Sequence, residues 1–443
     1  MRAAAFRSDR IPRSRAASLE QPIFFLSGII ILLIFTLSSP LLNLVMAYSQ
    51  PGGSFFAKFH PASWLSAPLL FLVCLDQPEK ARPLPRHLIG ALALIALIIA
   101  WLAARHKGAL ASTFIDIHLT PTVLLLALAR LPLERVRVLL RLFIALAAIN
   151  VFIVFAEFAA QTHLVPIEEA RGQYFRPFGL FAHPIQAGTL FYCAMFLAAS
   201  GVVSSGVARP LMLLLLFGVA LCGVRGPLAM AGLVFVSHVI HPVHPRRHLS
   251  DYLFDFGLIV LLPIGILAAL SLGAFDRIMA LGIWEESAQS RFYIFDALDL
   301  LNQNQFWHGV DGYDVGDWLA KQATGDTLIE NAFVVVIFQA GLPAAVMLGI
   351  FLFVLHAPAM LRSLLFSMMV VLVLATTTGF GTKNLIAAAM ALAGYWTWRQ
   401  AMERRRQPFT NLSPPHLLAK TAERHRLYSG RQRPLPVRRS SRT

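Results

Sequence analysis

Apolar residues run in long blocks along this chain, and the polar residues gather in the gaps between them. The blocks lie at about 23–42, 61–76, 88–104, 113–129, 138–160, 185–203, 210–224, 227–240, 253–273, 331–355, 363–378 and 384–399. Most are long enough to cross the roughly 30 Å hydrocarbon core of a bilayer as a helix. Lipid offers no hydrogen bonds to a bare backbone, so a crossing segment must close its own, and each block predicts a helix. The fold class expected is therefore all-α: a polytopic integral membrane protein of about twelve transmembrane helices. The second block, interrupted by Pro68, and the fourth, which carries Asp116 and His118, have the least sharp boundaries.

One gap differs from the rest. Residues 274–329, between the ninth and tenth blocks, form the only long, mostly polar insertion. The organisation read from the pattern is a basic tail (1–22), nine spans (23–273), a large loop (274–329), three spans (330–399) and a second basic tail rich in Pro and Arg (400–443). No repeat of solenoid period and no two-half symmetry of the transporter type is visible.

Composition agrees with the pattern: 57% of residues are hydrophobic, 14% are charged, and the mean hydropathy is +0.65. The net charge of +15 is concentrated at the ends. Residues 1–22 hold five arginines against Asp9 and Glu20, and residues 399–443 hold twelve Arg or Lys against Glu403 and Glu423. Basic segments beside spans mark the cytoplasmic side, so both termini are expected there and no nucleic-acid partner is expected. Alternating the spans from that start puts the large loop outside. Its Arg277, Arg291 and Lys321 face nine acidic residues. Cys74, Cys193 and Cys222 all lie in apolar blocks, so neither a disulfide frame nor a metal site is indicated.

On this topology Arg171, Arg176, His183, Arg225, Arg291 and Lys383 all fall on the outer side, against the usual bias. Arg225 sits in GVRGP between two apolar runs. A guanidinium there can grip a phosphate through two N–H groups, or it can snorkel to headgroups at a helix end. Arg176 to Gly188, RPFGLFAHPIQAG, reads as a tight corner before a span, with His183 either functional or hydrogen-bonded to backbone. Arg291, Phe295 and Leu298 share the face of a possible amphipathic helix. Asp311, Asp314 and Asp317 lack the EF-hand pattern and read as a solvated turn. Glu330 opens the tenth block, where a carboxylate can act as general base or simply favour the helix dipole, and Asn331 beside it can hold a hydroxyl or that carboxylate in place.

The ordered set RPFGLFAHPIQAG, GVRGPLAMAGLVF, SRFYIFDALDLLNQNQFWHGVDGYD and ENAFVVVIFQAGLPAAV resembles the bacterial O-antigen ligase and polymerase superfamily, in particular VpsF-type exopolysaccharide biosynthesis proteins. The resemblance covers residues 23–399. It implies a metal-independent glycosyltransferase of the bacterial inner membrane, without a cofactor, acting on an undecaprenyl-diphosphate-linked oligosaccharide among membrane lipids and other polysaccharide assembly and export proteins. It also implies that Arg225 and Arg291 hold the diphosphate. Members of the family often open the helix after the loop with His-Asn. Here that pair is Glu330-Asn331, which leaves three alternatives: Glu330 as the base, His308 as the base, or a different chemistry in this branch.

Two other classes remain open on the sequence. A flippase or transporter for a lipid-linked glycan requires ionisable groups inside the membrane and broken helices, and Asp116, His118 and Glu157 are its candidates. A non-enzymatic scaffold of the assembly machinery fits the basic tail.

Overall fold

The computed structural model describes residues 19–50, 53–76, 83–165, 175–240, 295–310, 331–376 and 383–406. Among these there is no strand. The α-helices of six residues or more are α1 (Glu20–Thr36), α2 (Pro61–Leu75), α3 (Arg86–Ala104), α4 (Gly108–Arg130), α5 (Leu133–Ala160), α6 (Pro184–Ala199), α7 (Ser205–Leu221), α8 (Arg225–Ile240), α9 (Gln303–His308), α10 (Ala332–Ala340), α11 (Leu342–Met360), α12 (Leu364–Thr376) and α13 (Ile386–Arg406). Four of them, α3, α4, α5 and α11, are long and apolar enough to cross a membrane, and α1, α2, α6, α7, α8 and α12 are shorter apolar helices. The block at 253–273 and most of the large loop lie outside the described residues.

Two helices form the interior. Nearly every side chain of α4 from Leu110 to Ala129 is buried, as is α6 from Pro184 to Ala198, apart from the partly covered Ile185 and Gln186. Both are buried on all sides, as suits a helix wrapped by others, although α4 also buries Asp116 and His118. Helices α1, α2 and α3 pack on α4, while α5, α7 and α8 pack on α6. Small residues set the closest approaches: a Cβ on Gly218 of α7 would fall 2.6 Å from Val151 of α5 and 3.1 Å from the Phe191 ring of α6. The outward faces keep Phe152, Phe155, Phe71 and Phe353 exposed, as lipid-facing positions would be.

Two departures from the block pattern shape the site. First, α4 contains a π-helical turn, Ile115–Leu119, with Thr120 and Pro121 just after it. Pro121 has no N–H to give, and the wide turn places both Asp116 and His118 in the interior. Second, the block expected as one span at 331–355 is two helices. Gly341, at φ +85°, ends α10 and starts α11. The Phe333 ring lies 3.5 Å from where a Cβ on Gly349 would sit. Residues eight before and eight after the corner are therefore side by side, so α10 folds back along α11 and begins roughly 12 Å below the corner. A Cβ on Gly341 would lie 2.2 Å from the Trp307 carbonyl oxygen, which leaves no room for another residue.

Residues Trp398–Thr443 form a separate unit. Its described part is the end of α13, where Arg399 pairs with Glu403 one turn on, at 3.3 Å.

Candidate functional site

The corner before α6 is built on Glu157, near the end of α5. Its buried carboxylate accepts the backbone N–H groups of Leu164 (2.8 Å), Phe178 (2.9 Å) and Gly179 (2.7 Å). Asn150, two turns earlier, accepts from Leu180 N at 2.9 Å. Gly179 has φ +63°, and a Cβ there would come within 2.5 Å of Asn150 Oδ1, so only glycine lets the backbone approach. His163 stacks on Phe175 and Phe178 with ring centres 4.6 and 4.2 Å away. The chain then reaches exposed His183, whose Nδ1 accepts from Ile185 N and caps α6.

That corner meets the one carrying Arg225. A Cβ on Gly188, in the second turn of α6, would lie 2.5 Å from Val224 and 3.1 Å from Pro227. Gly223 (φ +62°) turns the chain out of α7, and Arg225 is the first residue of α8. Cys222, three residues before Arg225, feels the charges of both Arg176 and Glu157. Arg176 and Arg225 are both half-buried. The two motifs that the sequence marked as cationic corners are thus neighbours, although about fifty residues of chain separate them.

A second polar cluster is centred on Asp116. Its Oδ1 accepts from Ser63 Oγ (2.6 Å) and His60 N (3.0 Å), and its Oδ2 accepts from Tyr48 Oη (2.8 Å). Lys383 Nζ lies 3.6 Å from Oδ2, with the two side chains 11% and 3% exposed. The same ammonium donates to the carbonyls of Tyr48 (3.3 Å) and Lys58 and sits 4.0 Å from the Tyr48 ring centre. Thr120 donates to Ser63 Oγ at 2.9 Å. Burial pushes the Lys383 ammonium below its ordinary pKa, against the pull of Asp116, and raises the Tyr48 hydroxyl well above its own. Burial also lowers His60, whose Nε2 donates to Leu37 O while Nδ1 accepts from Ala62 N. Beside the cluster, Ser38, Ser39, Gln186 and Asn384 line a cleft with room for about one water.

The third element is the segment before the Gly341 corner. Helix α9 is opened by a reciprocal cap between Asn302 and Gln305 and ends at Gly309 (φ +79°). Val310 N donates to Phe338 O at 2.7 Å, and Lys107 Nζ donates to Val310 O at 2.8 Å. Exposed His308 meets Arg105. Asn331 caps α10, its Oδ1 accepting from Phe333 N and Val334 N.

Of the residues singled out in the sequence, the structure therefore places Arg176, His183 and Arg225 around one pair of corners. Lys383 and Asp116 meet in a separate cluster, and His308 lies beside Arg105. Glu157 binds backbone, and the Oδ1 of Asn331 is engaged in a helix cap. Arg171, Arg291 and Glu330, as well as Asp311, Asp314 and Asp317, lie outside the described residues. Sequence reasoning passed over Tyr48, His60, Ser63, Thr120 and Arg105. Only Arg105 left a signal, since the run Arg105-His106-Lys107 is basic on a side where basic residues are unexpected. Among the described residues no three His, Cys, Asp or Glu side chains group as a metal site would require. Comparison of the chain with models of known protein families and with curated proteins finds no match.

Proposed function

We propose that this chain is a glycosyltransferase of the bacterial inner membrane, with about twelve spans and both termini in the cytoplasm. It would polymerise or ligate glycan carried on a polyprenyl diphosphate at the outer face. The observation that carries the reading is the packing of the RPFGLFAHPIQAG corner against GVRGP, Gly188 against Val224 and Pro227, with a half-buried arginine on each motif, Arg176 and Arg225. Guanidinium groups in a partly dehydrated setting bind phosphate oxygens strongly and bidentately. In the reaction an acceptor hydroxyl attacks the anomeric carbon and passes its proton to Glu330. The bond from that carbon to the diphosphate breaks, and the polyprenyl diphosphate departs with its negative charge held by Arg225 and Arg291. Replacing Arg225 or Arg176 with Ala should abolish polymer while protein level stays normal. Wild-type polymer yield from both variants would overturn the reading.

A transporter of the same lipid-linked glycan is the second reading. It is favoured by the π turn at Asp116 and the fold-back at Gly341, because broken helices and buried charge are what alternating access uses. Against it, the Asp116 carboxylate and the Lys383 ammonium already have a full set of partners. Lipid-linked units accumulating on the outer leaflet of a deletion strain support the transferase, and accumulation on the inner leaflet supports the transporter.

A further inference from the structure

The arginines of the described chain differ in what holds them. Arg135 pairs with Glu20 at 2.8 Å, Arg399 with Glu403 at 3.3 Å, and Arg130 lies 3.9 Å from Asp76. Arg105, at the end of α3, is held instead by two neutral groups. Its guanidinium carbon lies 5.1 Å from the centre of the Trp101 ring, and one terminal N–H meets His308 Nδ1. No carboxylate pairs with it among the described residues. Among the described residues, an arginine oriented by an indole face and an imidazole has its charge uncompensated and most of its donors open to a ligand.

The same contact fixes the state of His308. A guanidinium has only donors, so Nδ1 must accept, and the ring proton sits on Nε2. His308 thus offers an N–H donor beside the guanidinium. The pair is fastened from both sides. Lys107 Nζ bonds to Val310 O, and the Gly309 and Gly341 turns pack backbone on backbone, since a Cβ on Gly309 would lie 2.7 Å from Ala340 N. Trp307, 46% exposed, stands next to His308. Indole rings beside a cationic group are what an interface between headgroups and hydrocarbon favours.

We propose that Arg105 and His308 Nε2–H form a phosphate-binding site at the outer surface of the membrane, taking the phosphate of a lipid. This rests on the membrane reading above. It adds an anion site built on other elements, the end of α3 and of α9, and close in sequence to the start of the segment that leads to Glu330. The chemistry fits two sources, the diphosphate of a polyprenyl carrier or the headgroup of an anionic phospholipid.

The test uses the full chain in nanodiscs. Binding of undecaprenyl diphosphate is measured for wild type, Arg105→Gln, Arg105→Lys and His308→Gln, and co-purifying phosphatidylglycerol is measured by native mass spectrometry. Both residues are exposed, so the variants should fold, and retention of wild-type Tm checks this. The expected result is at least a tenfold loss of undecaprenyl diphosphate affinity in Arg105→Gln, a smaller loss in Arg105→Lys, which keeps the charge without the fork, and a several-fold loss in His308→Gln. Loss of phosphatidylglycerol alone identifies a headgroup as the ligand. Unchanged binding of both lipids overturns the proposal. Its failure is separable from that of the transferase reading, because Arg225→Ala would still abolish polymer if only the Arg105 site were absent. A wild-type protein that makes no polymer would leave the phosphatidylglycerol measurement standing.

Discussion

At the scale of single residues, the buried ion pair gives the sharpest expectations. Removing one partner of such a pair leaves the other charged and uncompensated, at a cost of about 3–5 kcal/mol. Asp116→Ala should therefore lower the Tm of the detergent-solubilised protein strongly. Asp116→Ala with Lys383→Met should recover much of the loss, and a double variant no better than the single one would show that the pair is not coupled. His60 adds a pH dependence. Burial lowers its pKa from the ordinary 6.5, opposed by the Leu37 carbonyl and by Asp116, and Lys383 lowers it further. The folded state thus favours the neutral ring. Its contribution is complete above pH 6.5 and is lost as pH falls below that value, where protonation also removes the Nδ1 acceptor from Ala62 N. Labelling of a cysteine placed at Ser49 should rise between pH 7 and pH 5, and His60→Gln should flatten the profile. Asp116 was visible in the sequence as a charge inside an apolar block, and Lys383 as a misplaced cation. Tyr48 and Ser63, which bond to Asp116, were not, because a polar residue near the end of an apolar run looks the same whether or not it reaches a carboxylate many residues away.

At the scale of elements, the described helices follow the apolar blocks, as a helix is what such a length of apolar chain would form in a bilayer. What the blocks could not show was where a helix breaks without leaving the apolar environment. The run ENAFVVVIFQAGLPAAV has Gly341-Leu342-Pro343 in its middle. Both a straight span and a fold-back are compatible with that sequence. The deciding contact is the carbonyl of Trp307, from a segment over thirty residues earlier, pressed against the glycine. Gly341→Ala should therefore be severely destabilising, through both the positive φ and the clash, and at least about 1–3 kcal/mol would come from the backbone conformation alone. Gly90→Ala is the control: it lies inside α3 with its nearest neighbour at an ordinary 3.7 Å, and it should be neutral or stabilising by up to about 1 kcal/mol. Equal effects in thermal melts would argue that the corner is not tightly packed.

At the scale of the whole molecule, the contacts constrain the path of the chain through a bilayer. Asp116 near the start of α4 meets Tyr48 after α1, His60 before α2 and Lys383 before α13, so these four points share a side. Val310 and His308 meet Lys107 and Arg105, between α3 and α4, and belong to that side too. If α4, α5, α6, α7 and α8 each cross once, the chain leaves α8 on the opposite side, yet it must be back by residue 308. One further crossing between residues 241 and 294, as the sequence leads one to expect of the apolar block at 253–273, would bring it back. The fold-back of α10 adds none, α11 and α12 add two, and the chain returns to Lys383 on the required side. A path of twelve crossings, as expected from the sequence, is compatible with these contacts once that block is counted as a span. Cysteines placed at Ser49, Arg105 and Ser287 in a background lacking Cys74, Cys193 and Cys222 should react with an impermeant maleimide added to intact cells. Those at Ser204, His244 and Arg404 should react only after permeabilisation. Labelling of positions 244 and 287 from the same side would break the count, and with it the placing of the large loop, Arg291 and Glu330 on the face where Arg225 is read to act.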